Sequence, residues 1–143
     1  MGIQYIPDRN DLVWLDFEPT KGREIGKYRP ALVLSSKVYN QKTGLMICTP
    51  VSTSIRNAIT EVPINNLDKP CVVAANLIHT LDWRSRKIKN AGEAEEGVLQ
   101  EVLLRLLPII GAETVQYAHL ATPRKRMKLR RNLYKLFRDR SLV

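Results

Sequence analysis

DLVWLDFEPTKGREIGKYRPALVL, residues 11–34, sets two apolar runs on either side of a long polar insert. The first run, 11–17, alternates imperfectly, but its β-branched and aromatic side chains (Val13, Trp14, Phe17) argue for a strand. The second, 31–34, is a short apolar run of the same kind. Between them, residues 18–29 carry Pro19, Gly22 and Gly26 as breakers and read as an exposed loop. A loop of that length in a compact domain tends to carry function.

Further short runs at 45–49, 60–64, 71–75 and 78–83 extend the strand pattern, with the turn formers Asn65, Asn66, Asp68 and Pro70 between two of them. Many short strands close together predict a curled sheet or small barrel, a mainly β (α+β) chain. From Glu93 the period changes. Val98, Leu99, Val102, Leu103, Leu106 and Ile110 recur at helical spacing, Pro108 should kink or end that helix, and Gly111 follows as a stop. The expected division is a domain over 1–111 and a basic C-terminal extension over 112–143, where Leu129, Leu133 and Leu136 or Phe137 draw an apolar helical stripe.

The 143 residues suit one domain, or one domain with an appendage. The formal charge of +9 resembles a nucleic-acid footprint until it is mapped. From Pro123 to the end there are nine Lys and Arg against Asp139, a net of +8, so the first 122 positions are nearly neutral at +1. That tail reads either as a solvated segment or as a binder of RNA, DNA or a protein partner. Cys48 and Cys71 form no CxxC pair and have no His at zinc spacing, so no metal site is expected and both should remain thiols. No run approaches the roughly 18 apolar residues of a membrane span, and the expected location is the cytoplasm.

Cleaving RNA without a metal needs a base for the 2′-hydroxyl, a cation over the phosphorane, and donors that hold the phosphate in line. The 18–29 segment offers Glu24 as a carboxylate, with Lys21, Arg23 and Arg29 as cations. Arg29 suits a phosphate clamp because its planar fork pairs two oxygens and stays charged. Charged residues in such a loop are also commonly just solvated. Ser52, Thr53 and Ser54 after Pro50 are either phosphate donors or a polar turn. Arg84 and Arg86, two apart after Trp83, would face one side of a strand and track a backbone, or form surface ion pairs.

The run YIPDRNDLVWLDFEPTKGREIGKYRPALVLSSKVYNQKTG, residues 5–44, closely resembles the N-terminal half of MazF/PemK family toxins. ICTPVSTS then resembles that family's third strand and hydroxyl-bearing turn, and LDWRSRK a later strand, so the likeness spans roughly 5–111. It implies a small SH3-like antiparallel barrel with a C-terminal helix, pairing as a homodimer. The implied activity is sequence-selective, metal-independent cleavage of single-stranded RNA, leaving 2′,3′-cyclic phosphate and 5′-hydroxyl ends, with no cofactor. By position, Glu24 would be the general base, Arg29 the phosphate-stabilising group and a candidate proton donor, and Ser52, with Thr53 as alternative, the orienting hydroxyl; a guanidinium's high pKa favours the electrostatic role for Arg29. Lys21, Arg23, Asn76, His79, Arg84 and Arg86 are the expected RNA contacts.

Such toxins are normally neutralised by an antitoxin whose acidic, flexible region covers the RNA groove. The chain departs from the pattern in three places: Arg23 for a small residue, Ser52 for Thr, and Asn76 where many members have Asp. Asn76 cannot accept a proton as a carboxylate does, whereas nearby His79 titrates around neutral pH in an unperturbed setting. Two other readings follow from the same resemblance: a gyrase-directed toxin of the same barrel, and a catalytically silent nucleic-acid-binding relative.

Overall fold

A computed structural model describes residues 4–112 and, beyond them, positions 124 and 131; the expected basic helical extension lies otherwise outside the described residues. Seven strands, β1 (Asp11–Asp16), β2 (Tyr28–Val33), β3 (Leu45–Ser52), β4 (Glu61–Ile64), β5 (Cys71–Ala74), β6 (His79–Asp82) and β7 (Lys89–Glu93), join two helices, α1 (Lys37–Thr43) and α2 (Val98–Ile109). All strand pairs are antiparallel and run β4-β5-β3-β2-β1-β7, with β6 paired to the first half of β3. The sheet curls into a half-barrel with a C-terminal helix, as the sequence predicted.

Side-chain alternation divides the core between the two faces of this sheet. On one face Leu12, Leu32, Leu34, Val51, Val62, Ile64 and Val73 meet Val98, Val102 and Leu106 of α2. Those three helical positions recur every fourth residue, so a single stripe is buried. Burying each such side chain stabilises by about 1.5–3 kcal/mol, and this stripe holds α2 down. On the concave face Val13, Leu15, Phe17, Ala31, Val33, Met46 and Cys48 pack with Trp83, and Tyr5, Ile6, Leu81 and Ile88 close the periphery.

Three elements differ from the sequence reading. β2 begins at Tyr28, so Arg29 stands on a strand and not in the loop, because β1 pairs far enough to set Leu15 opposite Arg29 and Asp16 opposite Tyr28. Pro30 is tolerated there because pairing to β3 starts only at Ala31. The segment at 37–43, for which the sequence showed no element, is a short helix: Ser36 caps it by accepting from the Tyr39 N–H, and Gly44, at φ 72°, ends it. β7, of sequence KNAGE, lacks strand-forming residues and exists because β1 offers it an edge. α2 ends where the sequence expected, one residue past Pro108, with Gly111 at φ 73° after it.

One buried polar residue ties these pieces together. Asn40, fully buried, accepts from the Ser35 hydroxyl and donates to the carbonyls of Pro7 (2.7 Å) and Ser35, while its own carbonyl accepts the Trp83 indole N–H at 2.9 Å. The N-terminal segment, β2, α1 and the end of β6 therefore share one satisfied hub. Both cysteines are buried and free, and burial pushes the Cys48 thiol up to about 12. No described helix is long and apolar enough to cross a membrane.

Candidate active site

The loop between β1 and β2 is a closed noose. At its neck the Phe17 N–H donates to the Lys27 carbonyl at 3.1 Å. Glu18 reaches across, accepting from the Lys27 N–H on one oxygen (3.0 Å) and from the Thr20 hydroxyl on the other (3.2 Å). Gly26 is required here, since a Cβ at that position would run into the Glu18 carboxylate. Outside the noose, Arg86 donates to the carbonyls of Asp16 (2.6 Å) and Glu18 (3.0 Å), bracing its root from the β6–β7 turn.

Glu24 sits at the exposed end of the noose, where one carboxylate oxygen accepts from the Lys21 N–H at 2.8 Å. That bond fixes the carboxylate and leaves its other oxygen for a proton. Arg29 spends only its Nε–H, donated to the Gly26 carbonyl at 2.6 Å, and burial lowers its pKa from the usual value for a guanidinium. Its two terminal amino groups remain for a ligand, the arrangement a bidentate phosphate clamp needs. The register that pairs Ala31 with Pro50 continues to bring Arg29 level with Ser52, on the concave face with Ala31 and Cys48. Ser52 Oγ accepts from the Ser54 N–H at 3.1 Å, so its proton is free to be donated outward. Thr53 is exposed beside it.

His79 enters the same mouth from β6. It pairs with Cys48, and its ring meets Phe17 edge-on at 5.2 Å between centroids, across the curl of the sheet. Burial lowers its pKa; the Glu24 carboxylate opposes that shift and Arg86 adds to it. Arg29, Ser52 and His79 thus lie on one face of the sheet, and Glu24 is near enough to the imidazole to favour its charged form. Beside it, an open cavity of about 540 Å³ lies against the noose root and β6, lined by Asp16, Glu18, Thr80, Asp82, Ser85 and Arg86 among others.

The remaining sequence candidates separate. Lys21 and Arg23 are exposed on the noose. Arg84 and Arg86 do not share a strand face, because β6 stops at Asp82 and the chain turns, with Asp82 accepting from the Ser85 N–H. Arg84 folds back over Trp83, 5.1 Å from its ring, and donates to the Gln41 carbonyl at the end of α1. It belongs to the Leu45 end of β3, seven residues from Ser52 and on the order of 20 Å away along a strand. Neither arginine forms an ion pair; among the described residues that interaction is found only between Arg105 and Glu101. Asn76 is exposed after β5.

Phe17, Glu18 and Gly26 escaped the sequence reading as parts of the site. Glu18 and Gly26 lay within the breaker-rich insert without a role of their own, and Phe17 was marked only by its adjacency to it. No group of three or more His, Cys, Asp or Glu among the described residues is placed to hold a metal ion.

A family model described as PemK-like, MazF-like toxin of type II toxin-antitoxin system matches residues 8–110. The chain is 36% identical over 111 residues to the endoribonuclease toxin MazF of Escherichia coli K12, covering 78% of this chain and all of that one. Its fold matches a crystal structure of MazF from Deinococcus radiodurans with a TM-score of 0.73 and 43% identity, over 76% of this chain and 99% of that one. A MazE–MazF crystal structure from the same organism matches with a TM-score of 0.67 and 42% identity, covering 75% and 98%.

Proposed function

The chain belongs to the PemK-like, MazF-like family of type II toxins, and from that premise we propose an endoribonuclease that cuts single-stranded RNA by metal-independent transphosphorylation at the noose. The observation that supports this reading is the strand register that sets Arg29, with two unspent amino groups, level with the outward Ser52 hydroxyl on one face, beside the loop that fixes the Glu24 carboxylate. Glu24 takes the proton of the 2′-hydroxyl as that oxygen attacks phosphorus. Arg29 pairs the non-bridging oxygens as charge builds on them, and Ser52, or Thr53 in its place, donates to hold the phosphate in line. Departure of the 5′-oxygen leaves a 2′,3′-cyclic phosphate and a 5′-hydroxyl.

Lys21 and Arg23, exposed on the noose, attract the flanking phosphates, and the exposed Asn76 and the open cavity beside β6 are surfaces that a neighbouring nucleotide would use. Arg86 serves chiefly by bracing the noose, and Arg84 by packing on Trp83. Two protein partners complete the proposal. Leu104, Leu107, Ile109 and Ile110 leave α2 with an exposed apolar strip, which supports pairing with a second copy. The MazE–MazF crystal structure supports a cognate antitoxin for this chain; the cationic noose is the surface an acidic antitoxin segment would cover, and the cytoplasm is the proposed setting. The 112–143 extension, with nine of its positions basic, adds phosphate contacts.

The test is a single 2′-deoxy substitution at a mapped cleavage site. Because the attacking group is the 2′-hydroxyl, cleavage there should stop while neighbouring sites are still cut. Undiminished cleavage of the deoxy site would mean that water, not the 2′-oxygen, attacks.

A further inference from the structure

The transphosphorylation just described leaves one proton unassigned. When the P–O5′ bond breaks, the 5′-oxygen departs as a strongly basic alkoxide unless an acid protonates it. Arg29 is a poor source, because a guanidinium holds its proton too tightly to release it near neutral pH. Ser52 and Thr53 are weaker acids still. Glu24 has just been given the opposite task. Among the described residues, one side chain at this mouth has an ordinary titration range near neutrality, and it is His79.

Its placement is built and not incidental. The backbone of His79 is held by pairing to Cys48 in the middle of β3, and its ring is half-buried against the edge of Phe17. Phe17 is the residue whose N–H closes the noose, so the imidazole is packed against the neck of the loop that presents Glu24. From the β6–β7 turn, Arg86 braces the same neck. We propose that His79 is a catalytic acid of this enzyme, delivering a proton to the departing 5′-oxygen while Glu24 removes one from the 2′-hydroxyl; the inference rests on the nuclease reading above. The balance closes: Glu24 gains the 2′-proton, the P–O2′ bond forms, the P–O5′ bond breaks, and the 5′-oxygen takes the imidazolium proton. Exchange with water then restores both groups.

The charged and titratable groups that bear on His79 set the expected pH response. Burial and Arg86 disfavour the imidazolium, Glu24 favours it, and the buried Cys48 thiol beside it on β3 is neutral. The net effect is a pKa below the ordinary 6.5, which makes the imidazolium a stronger acid and its population smaller as pH rises. The acid must be protonated to act, so the rate falls with rising pH above that value.

The experiment compares an RNA carrying one ordinary cleavage site with the same RNA whose scissile 5′-oxygen is replaced by sulfur. A thiolate leaves without protonation, so an acid catalyst becomes dispensable. His79→Gln should cut the oxygen substrate about 10²-fold more slowly, lose the falling limb of the pH profile, and cut the sulfur substrate near the wild-type rate. Glu24→Gln should be slow on both. If His79→Gln does not fold, His79→Ala with added imidazole replaces it, and imidazole should restore the oxygen substrate selectively. Equal losses on both substrates would mean that His79 only supports the noose, and an unchanged rate and profile would mean it takes no part; either overturns the proposal. Wild-type protein that cuts neither substrate would overturn the nuclease reading itself.

Discussion

Two exposed loops of this molecule are anchored by the same device. In the 18–27 noose, Glu18 accepts the Lys27 N–H and the Thr20 hydroxyl; in the 55–60 loop, Glu61 accepts the N–H groups of Arg56 and Ala58. A carboxylate that collects neighbouring donors can organise a loop too polar to be held by core packing. What differs is the cargo. The noose presents Lys21, Arg23 and Glu24, with Arg29 at its exit, whereas the second loop presents Ile55 and Ile59, the latter 89% exposed. Arg105 of α2 donates to the Ile59 carbonyl, so that apolar loop is continuous with the exposed strip of Leu104, Leu107 and Ile109. One scaffold thus separates a charged face suited to phosphate from an apolar face suited to protein.

That separation can be broken at several points. Arg29→Ala should lower the RNA cleavage rate by about 10²–10³-fold, since it removes a preorganised cation from the developing charge. Its melting temperature should move little, because its one hydrogen bond goes to the local Gly26 carbonyl. Arg86→Ala strips both carbonyl bonds from the noose root and should cost about tenfold in rate through a looser Glu24. Steady-state cleavage together with amide exchange at residues 18–27 reads both effects.

The second loop gives the reciprocal result. Glu61→Ala should destabilise the fold by about 1 kcal/mol in a denaturant titration and leave the rate per folded molecule unchanged. A rate loss matching that of Arg86→Ala would show that the two loops are not independent. The smallest effect belongs to the basic extension. Replacing Lys128, Arg130 and Arg131 with Gln should flatten the salt dependence of RNA binding, by about 0.7 in the log–log slope for each phosphate that is no longer neutralised.

Much of the noose and its frame was legible in the sequence. Leu12, Val13 and Leu15 before Pro19, and Ala31–Leu34 after Gly26, announce two strands and a polar excursion; residue chemistry offered Glu24 with Lys21, Arg23 and Arg29 within it, and only the family resemblance singled out Glu24 and Arg29. Where the reading erred, tertiary pairing overrode local signals. KNAGE is a strand only because β1 has a free edge, and Arg29 is on β2 only because the hairpin zips three residues further than its apolar run. Arg84 and Arg86 do not share a strand face because Asp82 terminates β6 by accepting from Ser85, which sends one arginine to the end of α1 and the other to the noose root. No local pattern shows Phe17 against His79, since that packing exists only once the sheet has curled.

The most direct test of the account is cleavage of a long, unstructured RNA by the purified protein in excess EDTA, wild type beside Arg29→Ala, with every new end mapped. The account predicts wild-type cuts at a recurring short motif, bearing 2′,3′-cyclic phosphate and 5′-hydroxyl ends, and near-loss of those cuts in the variant. Intact RNA with the wild-type protein, or equal cutting by the variant, would contradict it.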